Sequence, residues 1–296
     1  MNKSSAPLNY AFYPGCSLHG TAGEYELSTR EVFKALGIGL TEVPDWFCCG
    51  ATPAHNVDEL LSLSLCAKNL ELAGKVEGDL AVACAACFSR LKTAQHVLGG
   101  NDIKRKQVEK AIDGKVPLDG KVKHLLDILA NDFGLERLKS AVRKPLTGLK
   151  VACYYGCLLT RPPGVPELDD CEMPEIMENV LRAVGAGTVD WTHRTECCGA
   201  SYTVSHTDVV VKLSNAVLES AKAAGADCIM VGCPLCHANL DVRQAKIEKT
   251  YNTTYNLPVF FLTQLVGIAL GLPDWKLGME SLIVSPRALL KEKQLL

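Results

Sequence analysis

The sequence has no apolar run long enough to cross a membrane. Its longest, PVFFLTQLVGIALGLP at 258–273, is interrupted by Thr263 and Gln264 and falls short of the roughly 20 residues a span needs. That stretch is expected to form a core helix. The opening MNKSSAPLNYAFYPGC lacks a basic segment followed by an apolar one, so no secretory signal is expected and a reducing cytoplasm is. Net charge is nearly missing too, with a formal value of −2 and no sustained cluster of Lys and Arg. That argues against nucleic acid, whose phosphates demand concentrated positive charge. Membrane contact is expected to be indirect at most.

Cysteine is abundant. There are 14 in 296 residues, a density below the roughly 8–10% of a disulfide scaffold. With 48% hydrophobic residues the chain can bury a core without staples and has room for two domains. Reduced thiols at this density favour metal.

Ten of the cysteines fall into two copies of one pattern. Cys16 is followed by 31 residues, then Cys48-Cys49, then 34 residues, then Cys84 and Cys87 in a CxxC. Cys157 is followed by 39 residues, then Cys197-Cys198, then 34, then Cys233 and Cys236. YPGCSLHG parallels YYGCLLTR, an Asp-Trp pair precedes each double cysteine, and HLLDILAND sits after the first copy as FLTQLVGIA does after the second. The eight additional residues of the second copy fit RPPGVPELDD (161–170), whose prolines predict a loop. The duplication predicts two similar units, 1–145 and 146–296, related by pseudo-two-fold symmetry.

NYAFYPG, DLAVACA, KVACYYG and DCIMVGC are short apolar runs that end at or beside a cysteine, and they read as strands. Leu61, Leu65 and Leu72, and then Val210, Leu213 and Val217, keep helical spacing. The expected fold is therefore α/β, two duplicated Rossmann-like units with parallel strands. Ligands in such sheets sit beyond the carboxyl ends of the strands, where Cys16, Cys84, Cys157 and Cys233 fall.

Adjacent cysteines rarely bond to each other without strain, so the pairs call for another partner. A tetrahedral zinc site uses four ligands and would leave one thiol of five idle in each copy. Iron–sulfur clusters suit the set better, because thiolates select them and several irons can take more than four ligands. Gly50 and Gly199, after each pair, would let backbone N–H groups approach cluster sulfur. CAACFSRLKTAQHVL reads as a strand end turning into a helix, which aims N–H groups at an anionic centre. A duplicated zinc module that scaffolds a complex is the structural alternative.

Through YPGCSLHG, CCGATPAH, CAAC, HLLDIL, YYGCLLTRP, CCGA and GCPLC, over nearly its whole length, the chain resembles the cysteine-rich CCG proteins, and among them the B subunit of heterodisulfide reductase. The resemblance implies two non-cubane [4Fe–4S] clusters flanking a disulfide. Cys16, Cys48, Cys49, Cys84 and Cys87 would hold one; Cys157, Cys197, Cys198, Cys233 and Cys236 would hold the other. It implies an oxidoreductase acting on a sulfur group, with electrons arriving through a ferredoxin-like iron–sulfur partner that is itself fed by a flavin-containing one. The chain itself lacks the CxxCxxCxxxCP run of a ferredoxin. Disulfide reduction takes two electrons and a cluster normally passes one, so two sites facing one S–S bond make chemical sense. An electron-transfer or membrane-tethering role in a dehydrogenase or quinone-linked complex is the alternative that this resemblance leaves open.

His55 and His206, just after each pair, are candidate proton donors. Arg161 is a candidate for an anionic group of the substrate. His19 and His237, beside motif cysteines, would donate to sulfur or carbonyl groups. Trp46 and Trp191 would pack and exclude water. Cys66, Cys153, Cys171 and Cys228 stand outside the pattern and read as small hydrophobes or incidental thiols.

Overall fold

NYAFY is buried at four of its five positions and forms β1 (Asn9–Tyr13), an inner strand of a parallel sheet. A computed structural model describes residues 7–51 and 53–296. Around β1 the first sheet adds β2 (Gly39–Glu42), β3 (Asp79–Val82) and β4 (Val122–His124), in the order β2-β1-β3-β4. The second sheet contains β5 (Lys150–Tyr154), β6 (Gly187–Thr188), β7 (Cys228–Val231) and β8 (Val259–Phe261), in the order β6-β5-β7-β8. Both are parallel throughout, with Ala11 opposite Leu80 and Ala152 opposite Ile229. The fold is two duplicated α/β units. The inner strands are apolar on both faces because helices cover both sides.

The four strands read from the sequence are the inner pair of each sheet. The flanking strands escaped notice because they are short, and β6 is only two residues long. The apolar run at 258–273 divides differently from expectation: β8 takes its first part and a helix, Leu262–Ala269, follows. The two polar residues that interrupt the run explain the change. Gln264 accepts from the Phe261 backbone N–H at 2.9 Å and starts the helix, while Thr263 meets Ser28 of the first half at 2.7 Å. Residues 161–170 form an irregular loop, as their prolines predict.

Each half lends the helix after its last strand to the other. The helix Leu262–Ala269 packs on Gly23–Ala35 of the first half, with Tyr25 and Phe261 stacked at 4.1 Å. The helical stretch from Leu125 to Ala141 packs in turn on Ile176–Ala183 of the second half. This exchange fixes how the carboxyl ends of the two sheets face each other.

Candidate metal centre

Each double cysteine lies on irregular chain beyond its sheet, and its two thiols differ in burial. Cys48 is exposed and Cys49 buried; Cys197 is half-buried and Cys198 buried. Gly50 and Gly199 follow at φ +69° and +83°, a left-handed conformation that glycine adopts without cost. A Cβ on Gly50 would stand 2.6 Å from Ala54 Cβ, so close packing on the next helix also demands glycine there. The Gly199 N–H points at Cys197 Sγ at 3.3 Å.

Three thiol-to-thiol approaches recur in both halves, and a fourth, between Cys48 and Cys49, belongs to the first half. Cys48 Sγ lies 3.8 Å from Cys16 Sγ, and Cys49 Sγ lies 3.2 Å from Cys87 Sγ, which is in turn hydrogen-bonded to Cys84. In the second half Cys157 hydrogen-bonds Cys197, Cys198 Sγ lies 3.6 Å from Cys236 Sγ, and Cys236 hydrogen-bonds Cys233. The sets meet where Cys84 Sγ and Cys233 Sγ approach to 3.9 Å. All are free thiols. So many crowded thiols cannot ionise together. Hydrogen bonds from Cys48 and then Cys87 hold Cys49 down at about 4, while its bond to Cys49 pushes Cys48 up. Cys197, hydrogen-bonded by Cys157, is held at about 6. A donor set made only of soft sulfur, with five members per half, suits iron–sulfur chemistry and leaves a single tetrahedral zinc ion with a surplus ligand.

Two glycines missed in the sequence reading complete this geometry. A Cβ on Gly15 would stand 3.2 Å from Cys87 Sγ, and one on Gly156 3.3 Å from Cys236 Sγ. The glycine of each YxGC leaves room for the opposing thiol. Tyr13 and Tyr154 donate to the carbonyls of Phe47 and Glu196, at 2.7 and 2.6 Å, and so anchor the chain leading into each pair.

All five motif cysteines of the second half line one cleft. Its other wall comes from the first half, through Ala51, Ala85, Ala86 and Arg90. Arg90 was not singled out in the sequence, because one arginine on a helix carries no signal there.

His55 is exposed and lies outside the cleft lining, with Nε2 3.2 Å from Arg90 Nη2. Partial desolvation and then the Arg90 charge lower its pKa, so the ring is neutral near pH 7. His206 is exposed, beside Ser205 and Tyr202, and is also outside the lining. Arg161 is taken up by Glu172 at 2.6 Å and by Thr195, and it holds the 161–175 segment rather than lining the cleft.

His19 lies 3.6 Å from Glu26 and 3.3 Å from Glu42, to which Trp46 also donates, and Arg30 bonds both carboxylates. His237 meets the Val259 carbonyl at 3.0 Å and Trp191 the Cys153 carbonyl at 3.1 Å. Cys66, Cys153 and Cys228 are buried, and Cys171 sits in the irregular loop.

The profile of the CCG cysteine-rich domain matches residues 10–92 and 151–241, one copy in each half. The chain is 34% identical to the 8-methylmenaquinol:fumarate reductase membrane anchor subunit of Wolinella succinogenes, over 93% of this chain and 96% of that protein. It is 31% identical to the B subunit of the ferredoxin:CoB-CoM heterodisulfide reductase of Methanosarcina mazei, over 95% of this chain and 93% of that one. Among solved structures, a hypothetical protein from Helicobacter pylori aligns with a TM-score of 0.77 at 15% identity, covering 95% of this chain and 53% of the longer one. That likeness concerns the fold alone. With two complete copies of the domain and full-length relatives, this chain belongs to the CCG cysteine-rich family and is a homologue of the heterodisulfide reductase B subunit.

Proposed function

We propose that this chain is the component of a heterodisulfide-reductase-like complex at which a low-molecular-weight disulfide is reduced, or two thiols are oxidised in reverse. The observation that carries the reading is the meeting of two similarly arranged five-thiol sets at Cys84 and Cys233, beside a cleft. In this reading each set holds one non-cubane [4Fe–4S] cluster, through the ten cysteines of the repeat. Such clusters supply single electrons and an iron that can bind substrate sulfur. The chain's own part is to hold ten thiolates in place, to exclude water with Tyr155, Leu158 and Leu235 around the cleft, and to fix the distance between the halves. Electrons would come from a ferredoxin-like iron–sulfur partner linked to a flavin-containing one, in a cytoplasmic complex.

The Wolinella relative's name, at similar length and higher identity, supports a second reading, in which the chain serves for electron transfer or anchoring in a quinone-linked complex. No helix among the described residues is long and apolar enough to cross a membrane, so anchoring here would work through a partner or a surface.

Anaerobically purified protein, analysed for iron and sulfide and then oxidised with thiol present, tests the first reading. Iron with a thiol-dependent EPR signal, and disulfide-dependent oxidation of a reduced viologen, are expected. Zinc without iron, or an iron protein indifferent to every thiol and disulfide, would overturn it. Turnover with quinone alone would favour the second.

A further inference from the structure

Arg90 lies three residues after Cys87 on the helix Ala85–Gly100, one turn along the same face. The equivalent position of the second half, three residues after Cys236, is Asn239. Asn239 is buried and turns inward: its amide donates to the Cys198 carbonyl at 3.1 Å and reaches Cys198 Sγ at 3.6 Å. Arg90 turns outward, into the cleft over the other half's cysteines, and is the only cationic side chain among the described residues of the lining. Its Nε is buried and has no hydrogen-bond partner, and the one bond of its guanidinium among the described residues is to the uncharged ring of His55. No carboxylate among the described residues lies within ion-pair distance of it. Its charge helps hold the Cys49 thiol of its own half down, yet no anion among the described residues bonds it, and the planar fork of a half-desolvated guanidinium matches an oxyanion better than any neutral group. Arg161, the arginine the sequence offered for this task, is already paired with Glu172.

We propose that Arg90 is a specificity-determining residue, whose guanidinium receives an acidic group on the thiol or disulfide that enters the cleft over the second-half cysteines. The proposal rests on the disulfide reading above. The shared chemistry is a carboxylate or sulfonate a few bonds from the sulfur. The cation reaches across from one half while the thiols belong to the other, so the charge-reading group and the sulfur-binding groups sit on opposite walls.

The test uses the cluster-loaded full chain and three thiols of matched length: 3-mercaptopropionate, 3-mercaptopropanesulfonate and neutral 3-mercaptopropanol. Apparent affinity is read from the thiol-dependent EPR signal and by calorimetry. The wild type should bind at least one acidic thiol about 10-fold or more tightly than the alcohol, and which acid wins separates carboxylate from sulfonate. Arg90→Gln should weaken the preferred acid by about 10- to 100-fold and leave the alcohol within a few-fold. Arg90→Asn, which copies the residue of the second half, should do the same with iron content unchanged. A wild type without acid preference overturns the proposal even if neither variant folds. So does an equal loss for all three thiols with a shifted midpoint potential, which would assign Arg90 to balancing cysteine charge. Binding of no thiol at all, charged or neutral, would remove the disulfide reading as well.

Discussion

At the scale of single residues, the repeat makes its own controls. Cys66 donates to the Cys49 carbonyl at 3.6 Å, and the corresponding place in the second half is Ser214, which donates to the Cys198 carbonyl at 3.1 Å. Burial pushes the Cys66 thiol up, so it is inert at neutral pH. Cys66→Ser should therefore keep its iron and change unfolding free energy by less than about 1 kcal/mol, whereas Cys49→Ser, checked by metal analysis, should lose iron. Gly156→Ala offers a steric control. The methyl group would press on Cys236 and adopt a positive φ, so a lower iron content with the fold retained by circular dichroism is expected. The motif cysteines and the glycines after each pair were legible in the sequence, because spacing repeats. Gly15, Gly156 and Arg90 were not, because what matters at each is a neighbour from a distant part of the chain.

At the scale of elements, one histidine ties the two cysteine-bearing strand ends together. His124 closes β4; its Nε2 is 3.0 Å from the carbonyls of both Ala83 and Gly232, the residues just before Cys84 and Cys233. The Leu126 N–H donates to Nδ1 at 3.2 Å, so the proton sits on Nε2 and is shared between the two strand ends. The repeat puts Phe261 at the equivalent place. His124→Phe should therefore fit by volume yet leave both carbonyls without this donor, at a cost of about 1–3 kcal/mol in denaturant unfolding at pH 7. Burial lowers the pKa of His124 below its unfolded value, so its neutral ring stabilises the fold fully above about pH 6.5. That contribution is lost as pH falls through the lower folded value. The gap between wild type and His124→Phe should then narrow in acid; a gap that widens would contradict the assignment. The inner strands could be read from their apolar runs, but β2, β4 and β6 could not, since strands of two to four mixed residues exist only by pairing with a neighbour.

For the molecule as a whole, the exchanged helices make the halves interdependent. Gly267 lies where the helix Leu262–Ala269 meets the first half: a Cβ there would stand 2.3 Å from Leu277 and 3.2 Å from Val32. Gly267→Val should overpack this crossing and cost about 1–3 kcal/mol. Its effect should be felt in both halves at once. In single-tryptophan variants, fluorescence from Trp46 in the first half and from Trp191 in the second should report the same unfolding midpoint, as one cooperative unit requires. Two separate midpoints would show that the halves unfold independently.

The sequence by itself determined the duplication, the α/β character and the grouping of ten thiols into two sets, because repeated spacing and apolar runs are local properties that survive in one dimension. Tertiary structure alone decided that the sets meet at Cys84 and Cys233, that the helices change places, and that Arg90 rather than Arg161 faces the cleft. Those facts depend on which surfaces bury one another. An arginine's role is set by the carboxylate or empty space it meets across the fold, and no spacing along the chain records that.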